Sequence, residues 1–198
     1  MRSVGLCLAV KLTALMLCLT AQSLPEDNAR KLVAAAIAQT RTPVTYDGSY
    51  RRIAYPGGDV PANIGVCTDV VIRAYRQIGI DLQVKVHEDM RQAFRSYPAL
   101  WGTRGPDTNI DHRRVPNLQT FFRRAGAELP RSNDPRAYRS GDVVSWMLPG
   151  NLPHIGIVID QRSPSDVPLV VHNIGRGPEI EDILFRYTIT GHYRYSGR

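Results

Sequence analysis

The chain is poor in cysteine, holding three in 198 residues, at Cys7, Cys18 and Cys67. So few thiols exclude a disulfide-stapled scaffold, and no Cys-x-x-Cys pair offers a structural zinc site. No His-Glu-x-x-His segment occurs among the five histidines, so the sequence carries no helix-borne metalloprotease signature. No block of five like charges is present, which argues against a basic arm for nucleic acid. Internal repeats and low-complexity tracts are also missing. No apolar run is long and clean enough to prefer a membrane span.

What is present begins with a leader. Arg2 gives a positive start, an apolar stretch from Val4 to Leu19 is broken by Lys11, and Ala21-Gln22-Ser23 supplies small residues for cleavage. We therefore read residues 1–23 as a signal peptide and 24–198 as a single domain, exported to the periplasm or beyond, with no stable membrane insertion after cleavage. A lipid anchor at Cys18 is disfavoured because Leu17 stands where a small residue is wanted. The formal charge of +7 falls to about +5 once Arg2 and Lys11 leave, with arginine pairs scattered at 51–52, 113–114 and 123–124. Such a surface suits a polyanionic wall or simple solvation, and it selects neither.

Cleavage leaves Cys67 alone. A single thiol in an oxidising compartment is either deeply buried or chemically employed. Its surroundings, Asn63-Ile64-Gly65-Val66-Cys67-Thr68-Asp69-Val70-Val71, read as a loop that turns into an amphipathic helix with the cysteine at the joint. Unpaired backbone N–H groups and the positive end of the helix dipole favour thiolate there, and thiolate is the nucleophile. The bland alternative is a small buried hydrophobe.

Helical spacing predicts one element from Ala29 to Gln39, a second running from Cys67 to about Ile78, and a third within Ile80 to Ser96. Asn117 is placed to cap a fourth through Phe121 and Phe122. Residues 97–116 lose all pattern and form a long polar loop, and such loops are more often functional than idle. The C-terminal part reads as strands: Val143–Trp146, His154–Ile159, Pro168–Asn173 and Thr188–Tyr195. Helices first and a strand meander after is the α+β order. A hairpin with Ile159 near Leu169 is expected to set His154 across from His172, and a slip of one residue would present Asn173 instead. Cysteine at a helix start, histidine on a strand and a polar residue on the next strand follow the logic of Cys-His-Asn hydrolases.

These segments resemble the NlpC-type branch of the papain-like cysteine peptidases. More closely, the chain resembles the bacterial exported family catalogued as domain of unknown function 1287. The likeness runs from about Ala29 to Tyr195 and rests on several stretches. They are Gly141-Asp142-Val143-Val144, His154-Ile155-Gly156-Ile157-Val158 and Val170-Val171-His172, together with Val86–Met90, Asn109–Leu118 and Gly191–Tyr195. It implies a papain-like (NlpC-type) fold with N-terminal helices packed on a C-terminal antiparallel sheet, and a thiol hydrolase with Cys67 as nucleophile, His154 as base and His172 as orienting residue. It further implies an amide bond in peptidoglycan stem peptides as substrate, with no cofactor. The chain departs from the common pattern at Thr68-Asp69, where a Ser-Gly pair is usual.

Asn173 and Asp69 remain possible catalytic or orienting groups, although Asp69 also fits the acidic preference of a first helical turn. Asn109, Asp111, His112, Arg113, Arg114 and Trp146 are substrate-binding candidates, the arginines because they pair bidentately with carboxylates. The rivals are a lipid or thioester acyltransferase using the same residues, a metallohydrolase, and a wall-binding module without chemistry.

Overall fold

The computed structural model describes residues 26–197. The leader, with Cys7, Cys18 and the cleavage signal, lies outside the described residues. Helix α1 (Glu26–Gln39) opens with Glu26 and Asp27 at its positive end and buries Leu32, Val33 and Ala36. A short parallel pair follows, β1 (Thr45–Tyr46) with β2 (Ile64–Gly65), in a stretch whose tyrosines, glycines and prolines suggest turns and short extended pieces. Helix α2 (Cys67–Gln77) then buries nearly its whole circumference between α1 and the sheet. Gly79, at φ +79°, lets the chain leave it through a left-handed residue.

Asp81 caps α3 (Leu82–Ala93) by accepting the Gln83 and Val84 amides. The polar loop contains one 3₁₀ turn, Asp111–Arg113, which leads into α4 (Val115–Arg124). Asn117 is not the cap of α4. Arg114 holds that position with Pro116 in the first turn, and the Asn117 amide reaches back to the Asp111 carbonyl at 3.1 Å.

Strands β3 (Val143–Leu148), β4 (Leu152–Arg162), β5 (Pro168–His172), β6 (Glu179–Glu181) and β7 (Thr188–Tyr193) form one antiparallel sheet in the order β6-β5-β4-β3-β7. The α+β expectation holds, with helices packed on a C-terminal antiparallel sheet. Val143, Ile155, Ile157, Ile159, Val171 and Tyr193 face the helices. Val144, Trp146, Val158 and Val170 face a second cluster with Tyr138, Ile183 and Leu184. Both faces are therefore dry, which is why β4 reads as an unbroken apolar run and not as an alternation.

Candidate active site

Alternation fixes where the site can form. His154 is paired with Trp146 and so lies on the second-cluster face, as does His172, two residues from Val170 on β5. Cys67 packs on the helix side. The strand hydrogen bonds resolve this separation. Val158 donates to Asp142 and accepts from Gly141, so Val158, Gly156 and His154 bond towards β3 while Ile157 and Ile155 bond towards β5. Strand β5 ends at His172, and its pairing with β4 holds at Ile157–Val171 and Val158–Val170. The Ile155 amide thus has no strand partner, and it is the backbone group that most favours the Cys67 thiolate. The sulfur sits where β4 and β5 part, against the residue that follows His154.

His154 is not directly opposite His172. The observed pairs place Gly156 there, and His154 lies two residues further along the same face. The rings still meet, with His154 Nε2 3.1 Å from His172 Nδ1 and the planes at 89°. Gly156 makes this possible. A Cβ at that position would stand 2.7 Å from Val170 Cγ1, 2.8 Å from the Val171 carbonyl and 3.0 Å from His172 Cβ. Trp146 stacks beside His154 at 5.9 Å.

Burial dominates the electrostatics. It lowers His154 to about 3, with the neighbouring His172 adding to the shift, so the imidazole is neutral at physiological pH. His172 is lowered as well, despite the Glu181 and Glu179 carboxylates that pull it the other way. Burial also pushes the Cys67 thiol up to about 12, against the stabilising amides of Ile155, Thr68 and Cys67 itself. The expectation of a thiolate favoured by the helix end is overturned in this resting state. Cys67 is only 4% exposed, and desolvation outweighs the dipole.

Asp69 serves the helix. Its carboxylate accepts the Val66 amide at 2.7 Å and the Arg113 guanidinium at 2.8 and 2.9 Å. Asn173 lies on the opposite face from His172 and is also committed. Its Oδ1 accepts the Gly175 and Gly177 amides, and its Nδ2 reaches the Gly65 carbonyl at 3.4 Å, bracing the approach to Cys67.

Most of the substrate-binding candidates turn inward. Trp146 is fully buried in the second cluster and donates to the Leu184 carbonyl at 3.0 Å, so it offers no surface to a ligand. Arg113 is buried on Asp69 and on the Asp47 and Ser49 carbonyls. Asp111 accepts the Asp107 amide, and Asn109 ties Ile53, Tyr50 and Asp107 together. His112 is buried and lowered to about 4 by desolvation. The polar density of this loop is its own internal bonding. Arg114 pairs with Asp111 at 3.4 Å and lies 4.2 Å over the exposed ring of Trp101.

Two neighbours escaped sequence reasoning. The Tyr46 phenol faces the Cys67 thiol and is raised to about 12, by partial desolvation of its hydroxyl first and then by that sulfur, while the residue as a whole stays 44% exposed. It sits on a two-residue strand among turn formers, where no periodicity can show. Glu181 Oε2 stands 3.0 Å from His172 Nε2. Its strand has three residues, too short to register as an alternation.

Three comparisons place the chain among known proteins. The sequence profile of a family described as Domain of unknown function (DUF1287) matches residues 33–195. A protein of Escherichia coli (strain K12), described as uncharacterized protein YijF, is 53% identical over 150 residues, covering 76% of this chain and 73% of that protein. A solved structure of NlpC1 from Trichomonas vaginalis superposes with a TM-score of 0.47 at 12% identity, covering 89% of this chain. The chain spans under half of that protein's length, 46%.

Proposed function

This chain belongs to the family described as Domain of unknown function (DUF1287), and from that membership and the geometry above we propose that it is a cysteine hydrolase that cleaves an amide bond. The observation that carries the reading is the convergence at the parting of β4 and β5. The one thiol among the described residues, at a helix start, meets the amide that follows His154, and His154 is held in turn by His172.

In the proposed reaction Cys67 gives its proton to His154 and attacks the carbonyl carbon. His154 returns the proton to the leaving amine, and water then releases the acyl group from sulfur. A neutral imidazole beside a neutral thiol is the resting state these environments favour. Charge separates only when substrate excludes water and supplies the oxyanion, which the Cys67 amide helps hold. The proposed substrate is a peptidoglycan stem peptide and the proposed compartment the periplasm or beyond. Both are proposed from the family resemblance and from the leader read in the sequence.

The test is digestion of purified peptidoglycan by the mature protein beside Cys67→Ala, with fragments weighed by mass spectrometry. New fragments from the parent alone support the reading, and their masses name the bond. Equal release from both variants would remove Cys67 from the chemistry. No release from either would move the substrate to lipid or protein amides, or to wall binding without chemistry.

A further inference from the structure

We propose that Glu181 is a positioning residue for the histidine pair, selecting which nitrogen of His154 keeps its lone pair to act as base. The inference rests on the hydrolase reading for its consequence, but not for its geometry.

Sheet register places the carboxylate. Glu179 is paired with His172 and Glu181 with Val170, so Glu181 reaches His172 along a diagonal, as His154 does from the other side. Glu181 Oε2 lies 3.0 Å from His172 Nε2, at ion-pair distance but off the line of the ring N–H. That nitrogen is fully buried, and no other group among the described residues reaches it. The second oxygen, Oε1, is held at 3.3 Å by Arg176, which also holds Glu179. The carboxylate is thus fixed at the end of a line of three side chains: His154, His172 and Glu181.

A carboxylate only accepts. Facing it, His172 carries its proton on Nε2, because a bare Nε2 would set its negative edge 3.0 Å from the carboxylate charge. His172 Nδ1 is then the acceptor, so the 3.1 Å contact is a bond donated by His154 Nε2–H. His154 Nδ1 is left with its lone pair free. In the transfer, the Cys67 S–H bond breaks and an Nδ1–H bond forms on His154. The imidazolium keeps its Nε2–H on His172, and Glu181 gains no proton. Reversing the tautomers would leave Nδ1 already protonated and unable to act as base.

His172, Glu179 and Glu181 each offer one ligand atom within 4.8 Å of the others, which is also the donor set of a divalent cation site. Arg176 already supplies the counter-cation to both glutamates, and this favours the positioning role.

The experiment is two-bond ¹H–¹⁵N correlation of histidine-labelled protein, for the parent and Glu181→Leu, in EDTA at neutral pH. The parent is expected to show His154 and His172 both protonated on Nε2, and the variant to lose that order. Hydrolysis by the variant is expected to fall about tenfold to a hundredfold in kcat with KM unchanged. A parent His172 protonated on Nδ1, or tautomers unmoved in Glu181→Leu, would overturn the proposal. So would order that appears only after Zn²⁺ is added, which would instead assign a cation site. Because the tautomers are read without substrate, a failure of the hydrolase reading leaves this result standing by itself.

Discussion

Arg113 and Asp69 form a two-pronged ion pair across the molecule, at 2.8 and 2.9 Å, with side chains 2% and 3% exposed. It fastens the 97–116 loop to the first turn of the cysteine helix, and Thr68 repeats the link by donating to the Arg113 carbonyl at 3.0 Å. Removing one partner leaves the other charge buried and unpaired. Arg113→Met is expected to cost about 3–5 kcal/mol, read by urea unfolding. Adding Asp69→Asn should then cost less than its single effect, since the stranded charge is gone. Independent, additive losses would show that the pair does not hold the loop.

Gly156 keeps the histidines in contact. Gly156→Ala places a methyl at 2.7–3.0 Å from Val170, Val171 and His172, in a sheet packed on both faces. The expected cost is about 1–3 kcal/mol of stability together with loss of the His154–His172 bond, visible in histidine NMR. An alanine variant with parent stability and an intact bond would refute this assignment.

Much of this was legible in the sequence. The α+β order, the helix starting at Cys67 and the strands carrying His154 and His172 follow from periodicity and turn residues. The diagonal contact of the two histidines does not, because Ile159 near Leu169 sets Gly156, not His154, opposite His172, and only a glycine there lets the diagonal pair touch. The inward turn of Arg113 and Asp111 was equally hidden, since a polar loop that binds itself has the composition of one that binds a ligand. Trp146 misled for a related reason: its indole N–H is satisfied by Leu184, on a segment with no sequence relation to the strand.

Acid should unfold the protein early. Burial lowers His154 to about 3 and His112 to about 4 from an ordinary 6.5, so the unfolded chain binds protons that the native state refuses. Their stabilising contribution is complete above pH 6.5 and is lost as pH falls towards 4 for His112 and towards 3 for His154, by about 1.4 kcal/mol per pH unit for each. Asp142 acts lower still. Burial raises it, but hydrogen bonds from His192, Arg194 and the Arg139 amide outweigh this and hold it below its usual range, so its share is lost only at stronger acidity. Urea midpoints at pH 7 and pH 5 test the histidines, and equal midpoints would contradict them. His112→Gln is expected to flatten the slope.

The resting thiol should be sluggish. With Cys67 raised to about 12 and 4% exposed, its alkylation by iodoacetamide at pH 7 is expected to run about a thousandfold or more below that of free cysteine. Mass spectrometry of the Cys67 peptide over time gives the rate. Labelling as fast as free cysteine would mean that the thiolate exists before substrate arrives.

The central claim is that Cys67 carries the acyl group, and the most direct measurement is intact-protein mass after acid quench of a digestion in progress. The account predicts a covalent adduct on Cys67 with the mass of an acyl fragment, released by hydroxylamine, and no adduct or fragments with Cys67→Ala. Fragments released by both proteins with no mass added to Cys67 would contradict it.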